Sequence, residues 1–387
     1  MKTQLINATL LTPAGWIENG SISFENGIIC DVKPTSIEDD NFTIIDLHGM
    51  YVIPGGVNIH VHGAAGFDFM EGTEEAFRSI IHAHMLHGTT SIFPTLASST
   101  MPVIEKAAKT CSKLMQEENS PILGLHLEGP YINRKMAGGQ MPENVKNPDP
   151  EEYKYLIEKY PIIKRWDAAP EIEGAMDFSK YITQRGVVAS LAHTEANYKE
   201  VCEAFENGFT HATHFYNAMQ GVHKQGVYKS EGTIESIYLI DDMTVEVIAD
   251  GIHVPPALLK LIHKWKGVEH TCLVTDALSC SISKETTALD GRVIIEDGVC
   301  KLADRSALAG SVATMDRLIR TVVQKADIPL ADAVRMASET PAKIMGVYQR
   351  KGSLERGKDA DIIILDKDLN IQASWAMGQL ITKSSTL

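Results

Sequence analysis

GGVNIHVHGAAGFDF, residues 55–69, places His60 and His62 two positions apart in an apolar run that closes on glycines. Read as a strand, the run points both imidazoles to one face, with roughly 6–7 Å between their Cα atoms. Two neutral rings at that spacing can reach one metal ion. Gly55, Gly56, Gly63 and Gly66 leave room for backbone and ligand nearby. The bland alternative is a pair of hydrogen-bonded core histidines, because short motifs recur by chance. A contrast lies close by in TEEAFRSIIHAHMLHG, residues 73–88, where His82 and His84 share the same spacing inside a helical apolar pattern. On a helix, positions two apart face different directions, so that pair reads as one of solvation or packing.

Working outward, short β-rich runs alternate with helical patterns from about residue 57. The runs are VNIHVH (57–62), TSIFPT (90–95), ILGLHLEG (122–129), RWDAAPE (165–171), GVVASLAHT (186–194), FTHATH (209–214), TVEVIADG (244–251) and TCLVTDA (271–277). Helix-like stretches such as MPVIEKAAKTCSKLM, ANYKEVCEAFENG and PPALLKLIHKW stand between them. Eight β/α units of this kind predict an α/β fold, a TIM-like (β/α)8 barrel over residues 51–346. An open doubly wound sheet is the alternative, but no GxGxxG follows the first run. Residues 1–50 and 347–387 read as alternating strands and turns, which predicts one small β-sandwich built from both termini. The chain shows no internal repeat and no long linker.

His60, His62, Glu128, His193, His214, Asp250 and Asp276 fall at or near the C-terminal ends of these runs. Packing gives strand ends no reason to collect His, Glu and Asp, whereas the active site of such a barrel forms at that rim. Glu128, His193 and His214, from three strands, could supply three ligands to zinc or iron with a position left for water. His60 and His62 could add a second ion, giving one or two divalent transition metals per chain. Asp276 is placed to take a proton from an activated water.

Composition narrows the classes. The chain has 387 residues, 44% hydrophobic and 22% charged, enough for a large core. No apolar stretch approaches a membrane span, and the N-terminus carries no signal-peptide pattern. Cys30, Cys111, Cys202, Cys272, Cys280 and Cys300 are scattered without CxxC pairing, as expected of reduced thiols in a cytoplasmic protein. A formal net charge of −14 without a basic run makes nucleic acid and anionic membrane poor partners.

GGVNIHVHG, GLHLEGPYIN, SLAHTEA, THFYNAM, ADGIHV, VTDA and ALAGS, in that order between about residues 45 and 366, resemble the N-acetylglucosamine-6-phosphate deacetylase family of the amidohydrolase superfamily. The resemblance implies a homodimeric barrel with a β-sandwich that removes acetate from an amino sugar phosphate. By position it makes Glu128, His193 and His214 the shared metal ligands and Asp276 the general base, then general acid. It makes His60 and His62 the pair that some members keep for a second ion. Asn217 and Ala218 match positions at the sugar phosphate, and His253 matches a substrate-binding histidine that some members contribute across the dimer. Leu308, Ala309, Gly310 and Ser311 match a loop lying against the sugar.

Two departures stand out. Where the family carries a histidine near the acetyl carbonyl, INRKMAGGQMP offers Gln140, which can donate through its amide but carries no charge. Where the family places an arginine on the phosphate, QGVHKQGVYKSEG has none, leaving His223, Lys224, Gln225 and Lys229 as replacements. Lysine binds phosphate as a point charge, without bidentate geometry.

Competing readings are an amidohydrolase acting on an unphosphorylated N-acyl sugar or a cyclic amide, a nucleobase deaminase, and a non-catalytic barrel serving in an assembly. RWDAAPE has no lysine at the end of the fourth strand to bridge two metals, as many cyclic amidases do. A non-catalytic barrel usually loses its ligands, and here the set is full. Among the remaining polar residues, His126 shares the parity of Glu128 and reads as an inward supporting group. His211 has the opposite parity to His214 and is expected to face the helices. Asp250 reads as catalytic or as a hydrogen-bond partner of the following turn. Asp167 reads as a rim or salt-bridge residue.

Overall fold

The computed structural model describes residues 2–385 apart from Ser36, Ile37, Asp39, Asp40, Thr286 and Asp290. Eight parallel strands form one sheet in strict chain order. They are β1 (Gly56–Val61), β2 (Thr89–Leu96), β3 (Leu125–Glu128), β4 (Ile163–Ala168), β5 (Val188–Leu191), β6 (Phe209–Ala212), β7 (Thr244–Val247) and β8 (Thr271–Leu273). The sheet closes on itself beyond β8. Asp276 N–H donates to His60 O at 3.0 Å, and Ala277 O accepts from the N–H groups of His62 and Gly63 at 2.9 and 2.8 Å. Gly63 is required at this seam, because a Cβ there would lie 2.7 Å from Ser279 N and 2.3 Å from Phe67 O.

Helices follow each strand on the outside of the barrel, from α1 (Glu74–Leu86) after β1 to Met315–Ala326 after β8. Thr73 caps α1 by accepting from Ala76 N, and the helix buries Phe77, Ile80 and Ile81 against the barrel core. Its two histidines divide: His82 is exposed, while His84 is buried with Nε2 on Gly63 O at 3.1 Å. Three connections are long, 129–149, 213–232 and 274–314, and all leave the C-terminal ends of strands. Long connections inside a compact domain are usually functional.

Both flanks enter a second, eight-stranded sheet. Strands Lys2–Thr12, Gly15–Glu25 and Ile28–Lys33 meet Ile362–Leu365, Ile371–Ala376 and Gln379–Lys383 through Tyr51–Pro54, which pairs antiparallel with Ile362–Leu365. The N-terminal contribution therefore runs to Pro54. Leu5, Ile22, Phe24, Val52, Ile362, Ile364 and Trp375 form its own apolar core. No helix among the described residues is long and apolar enough to cross a membrane.

Candidate active site

Six side chains converge at the rim. Glu128 ends β3; His193, His214 and Asp276 stand just past the ends of β5, β6 and β8. At those three positions φ is 47°, 28° and 46°. A left-handed backbone at a residue with a Cβ costs on the order of 1–3 kcal/mol and persists only where the surroundings impose it. Here it turns each side chain off the strand direction and into one point.

Two sets meet on Glu128. His193 Nε2 and His214 Nε2 lie 2.9 and 3.2 Å from Glu128 Oε1 and 3.2 Å from each other. His62 Nε2 lies 3.1 Å from Glu128 Oε2 and 3.2 Å from Asp276 Oδ1. His60 Nε2 is 3.3 Å from His62 Nε2 and 3.5 Å from Asp276 Oδ1. His193 Nδ1 donates to Met136 O at 2.7 Å and His214 Nδ1 to Asn217 O at 3.1 Å. With their Nδ1 protons so engaged, the two Nε2 atoms face each other as lone pairs unless positive charge lies between them. A divalent ion shared by Glu128, His193 and His214 satisfies that arrangement, and the set His60, His62 and Asp276 offers a second.

The electrostatics agree. Burial opposes a charge on His62, but hydrogen bonds to Asp276 and Glu128 outweigh it and push the ring up to about 10. Burial opposes ionisation of Glu128, yet hydrogen bonds from His193 and His214 hold it well below the usual carboxylate range. Asp276 is likewise lowered: burial is outweighed by His60 and His62. The pocket selects positive charge among ionised carboxylates, and imidazole–carboxylate donor sets of this kind suit zinc or iron.

A cavity of about 770 Å³ opens above these groups, with His62, Glu128, His193, His214 and Asp276 in its floor. Gln140, Asn217, Ala218, His253, Leu308, Ala309 and Gly310 line its walls. Gln140 Oε1 accepts from Ser98 N at 2.8 Å, which leaves the amide NH2 to donate. His253 Nδ1 donates to Asp250 Oδ2 at 2.8 Å, while its buried Nε2 has no partner among the described residues.

The model of the amidohydrolase family matches residues 51–381. The chain belongs to the amidohydrolase family. Among curated relatives of this amidohydrolase, the N-acetylgalactosamine-6-phosphate deacetylase of Escherichia coli O157:H7 is 30% identical over 96% of this chain and 97% of its own. The N-acetylglucosamine-6-phosphate deacetylase of Lysinibacillus sphaericus is 26% identical over 97% and 96%. Among solved structures, the N-acetylglucosamine-6-phosphate deacetylase of Pasteurella multocida superposes with a TM-score of 0.92 at 27% identity, covering 98% of this chain and 99% of that one. The Mycobacterium smegmatis enzyme in complex with N-acetyl-D-glucosamine-6-phosphate superposes at 0.91 with 27% identity, covering 99% and 100%.

Several residues of this amidohydrolase lie elsewhere than their sequence position suggested. Ser311 is off the cavity, fully buried, and its N–H donates to Asp276 O at 2.7 Å. It pins the loop that carries Leu308 to the end of strand eight. Lys224, Gln225 and Lys229 sit in an exposed hairpin (His223–Gln225, Tyr228–Ser230) and do not line the chain's own cavity. Among the described residues, the lysine and the arginine that line it are Lys135 and Arg292, and Arg292 Nη2 also donates to Gly139 O at 3.0 Å. His211 does not face the helices: it is buried with Nε2 3.5 Å from Glu246 Oε2 and Nδ1 2.7 Å from Thr244 Oγ1. Strand parity stops counting where the chain leaves extended geometry, and His214 has already done so. Asp250 takes the turn role, accepting from Ile252 N and His253 N. Asp167 takes the salt-bridge role, inside the barrel rather than at its rim, 3.1 Å from Arg165 Nε and 2.9 Å from His126 Nε2.

Arg165 and Glu246 are functional-site neighbours that the strand-end pattern in the sequence does not single out. Both are wholly buried and paired with each other beneath the rim. The signal was present, since a charged residue in the middle of an apolar strand is almost never buried without a partner.

Proposed function

We propose that this amidohydrolase removes acetate from N-acetylglucosamine 6-phosphate to give the amino sugar phosphate, with a divalent metal in the Glu128 site. The observation that carries the reading is the meeting of two imidazole–carboxylate sets on Glu128, with Asp276 beside them, in the floor of a cavity with room for a phosphorylated sugar. Curated relatives and superposed structures that carry this activity in their names support it. The galacto epimer is a second reading, favoured by the 30% identity to the Escherichia coli O157:H7 enzyme.

Glu128, His193 and His214 would hold a divalent ion, which when bound would supply Lewis acidity toward the acetyl carbonyl and the attacking water. Asp276 then does the proton work. Its ionised carboxylate accepts a proton from the attacking water at Oδ and returns it to the amine nitrogen as the C–N bond breaks. The Gln140 amide donates to the acetyl oxygen as negative charge develops there. His253 Nε2 accepts from a sugar hydroxyl, its ring oriented by Asp250. Asn217 and Ala218, in the tight turn that also receives His214 Nδ1, present backbone to the sugar phosphate. Leu308, Ala309 and Gly310 close the wall against the ring.

The finer assignments follow the same reading. His60 and His62 add a second ion, zinc or iron. The catalytic unit expected over residues 51–346 lies between flanks expected over 1–50 and 347–387, with Tyr51–Pro54 given to the sheet of the flanks. The chain forms a homodimer and works in the cytoplasm, where six unpaired cysteines suit a reducing medium. Lys224 and Lys229 serve the phosphate if their hairpin reaches a partner subunit's cavity; Arg292 and Lys135 are the candidates within one chain.

An acetate-release screen over N-acetylglucosamine and N-acetylgalactosamine, each with and without the 6-phosphate, tests the proposal. Preference for a 6-phosphate is expected, and N-acetylglucosamine 6-phosphate should lead. Release from none of the four would overturn the assignment. Equal rates with and without phosphate would move it to an unphosphorylated N-acyl sugar.

A further inference from the structure

Beneath the rim, Arg165 of β4 lies wholly inside the barrel. Its guanidinium donates to Asp167 Oδ1 at 3.1 Å, Ser190 Oγ at 3.0 Å, Thr213 Oγ1 at 2.9 Å and Ile59 O at 3.4 Å, and it pairs with Glu246 of β7. Glu246 is equally buried, and its two oxygens face different ways. Oε2 receives the Arg165 guanidinium, while Oε1 lies 2.5 Å from His60 Nδ1 and accepts from His214 N at 3.0 Å. One carboxylate thus ties together β1, β4 and the turn after β6.

Stability does not account for such a pair. Replacing a buried ion pair by packed apolar side chains is often neutral or stabilising, so the cost of desolvating Arg165 and Glu246 calls for another use. Chemistry at His60 supplies one. An ionised carboxylate at Nδ1 can only accept, so that nitrogen carries a proton, and the neutral ring that binds a metal keeps its lone pair on Nε2. That lone pair faces His62 Nε2 at 3.3 Å and Asp276 Oδ1 at 3.5 Å. Partners on the far nitrogen of a ligating histidine fix its tautomer and orientation, and their loss typically costs 10–100-fold in metal affinity.

We propose that Glu246, clamped by Arg165, is a positioning residue for the metal subsite at His60 and His62, holding His60 as the Nδ1–H tautomer with Nε2 turned to the ion. This rests on the metal-dependent reading above. Arg165, shared between Glu246 and Asp167, holds the Glu246 carboxylate in place against His60.

The test is zinc titration of the metal-free full-length protein against a chromophoric chelator, for the parent, Glu246→Gln and Asp167→Asn, with thermal melts of each metal-free protein. Asp167 is the matched control. It bonds the same Arg165, together with His126 and Thr213, and makes no hydrogen bond to a proposed ligand. Glu246→Gln should weaken one of two zinc sites by about 10–100-fold and leave the other within a few-fold. Asp167→Asn should lower the melting temperature while both affinities stay within a few-fold of the parent. Unchanged affinities in Glu246→Gln, or an equal loss in Asp167→Asn, would overturn the proposal. A parent that binds no zinc overturns the metal-dependent reading as well, which separates the two failures. Should Glu246→Gln not fold, ring 15N NMR of the zinc-loaded parent decides: a proton on His60 Nδ1 supports the role, and a proton on Nε2 refutes it.

Discussion

His193 Nε2 and His214 Nε2 lie 3.2 Å apart, each ring anchored through Nδ1 to a backbone carbonyl. The chain cannot relieve that contact by turning either ring without losing the anchor, so the two nitrogens are held ready for a shared cation. Glu128 Oε1 completes the group, and its other oxygen turns to His62.

Asp276→Asn should keep the fold and the ion of the Glu128, His193 and His214 set and lose at least about 10²-fold in kcat, the usual scale of general acid–base catalysis. Asparagine cannot accept the proton of the attacking water. A variant that binds metal normally and turns over within a few-fold of the parent would assign the base elsewhere.

His60→Ala and His62→Ala should each lower metal content without emptying the site, because Glu128, His193 and His214 still hold one ion. Elemental analysis of the purified variants checks this. Loss of all metal from either single variant would show that the ligands do not divide into two sets.

For the phosphate, one charge-assisted hydrogen bond is worth about 1.5–3 kcal/mol, or roughly 10–100-fold in kcat/KM. Arg292→Ala, Lys224→Ala and Lys229→Ala should therefore be compared on N-acetylglucosamine with and without the 6-phosphate. A loss confined to the phosphorylated sugar identifies the contact. A lysine effect of this kind places the hairpin in a partner subunit's cavity; an Arg292 effect keeps recognition within one chain. No effect from any of the three would leave phosphate to other groups.

Much of this site was legible in the sequence because β-rich runs ended in residues that packing does not ask for. Glu128, His193, His214 and Asp276 announced the rim in that way, and their order along the chain carried the rest. Alternation fails where the backbone leaves extended geometry: counting from His214 turns His211 outward, but the φ of 28° at His214 breaks the count. Arg165 and Glu246 were lost to a different cause. A charge inside a β-rich run signals a buried partner, but which partner is set by a contact across the barrel, between β4 and β7, that no local pattern names. Lys224 and Lys229 are close in sequence to the sugar-phosphate turn, but the hairpin pairing Lys224 with Lys229 carries both out to solvent.

His84 gives a pH-dependent stability prediction. Burial pushes its pKa from the ordinary 6.5 down to about 4, so the unfolded chain takes up a proton before the folded one does. Its contribution is present above pH 6.5 and is lost as pH falls through about 4. His84→Gln keeps a donor for Gly63 O and does not titrate. Denaturant unfolding should show a loss between those limits that is smaller than the parent's by up to about 3 kcal/mol. Superimposable pH profiles for the two proteins would contradict the assignment.

Metal dependence of acetate release is the most direct test of the account. N-acetylglucosamine 6-phosphate is given to the protein before chelation, after exhaustive chelation, and after return of zinc or iron, with bound metal counted by elemental analysis at each stage. The account predicts that release stops with the metal gone and recovers in proportion to the metal bound. Full activity in a preparation shown to be metal-free would contradict it.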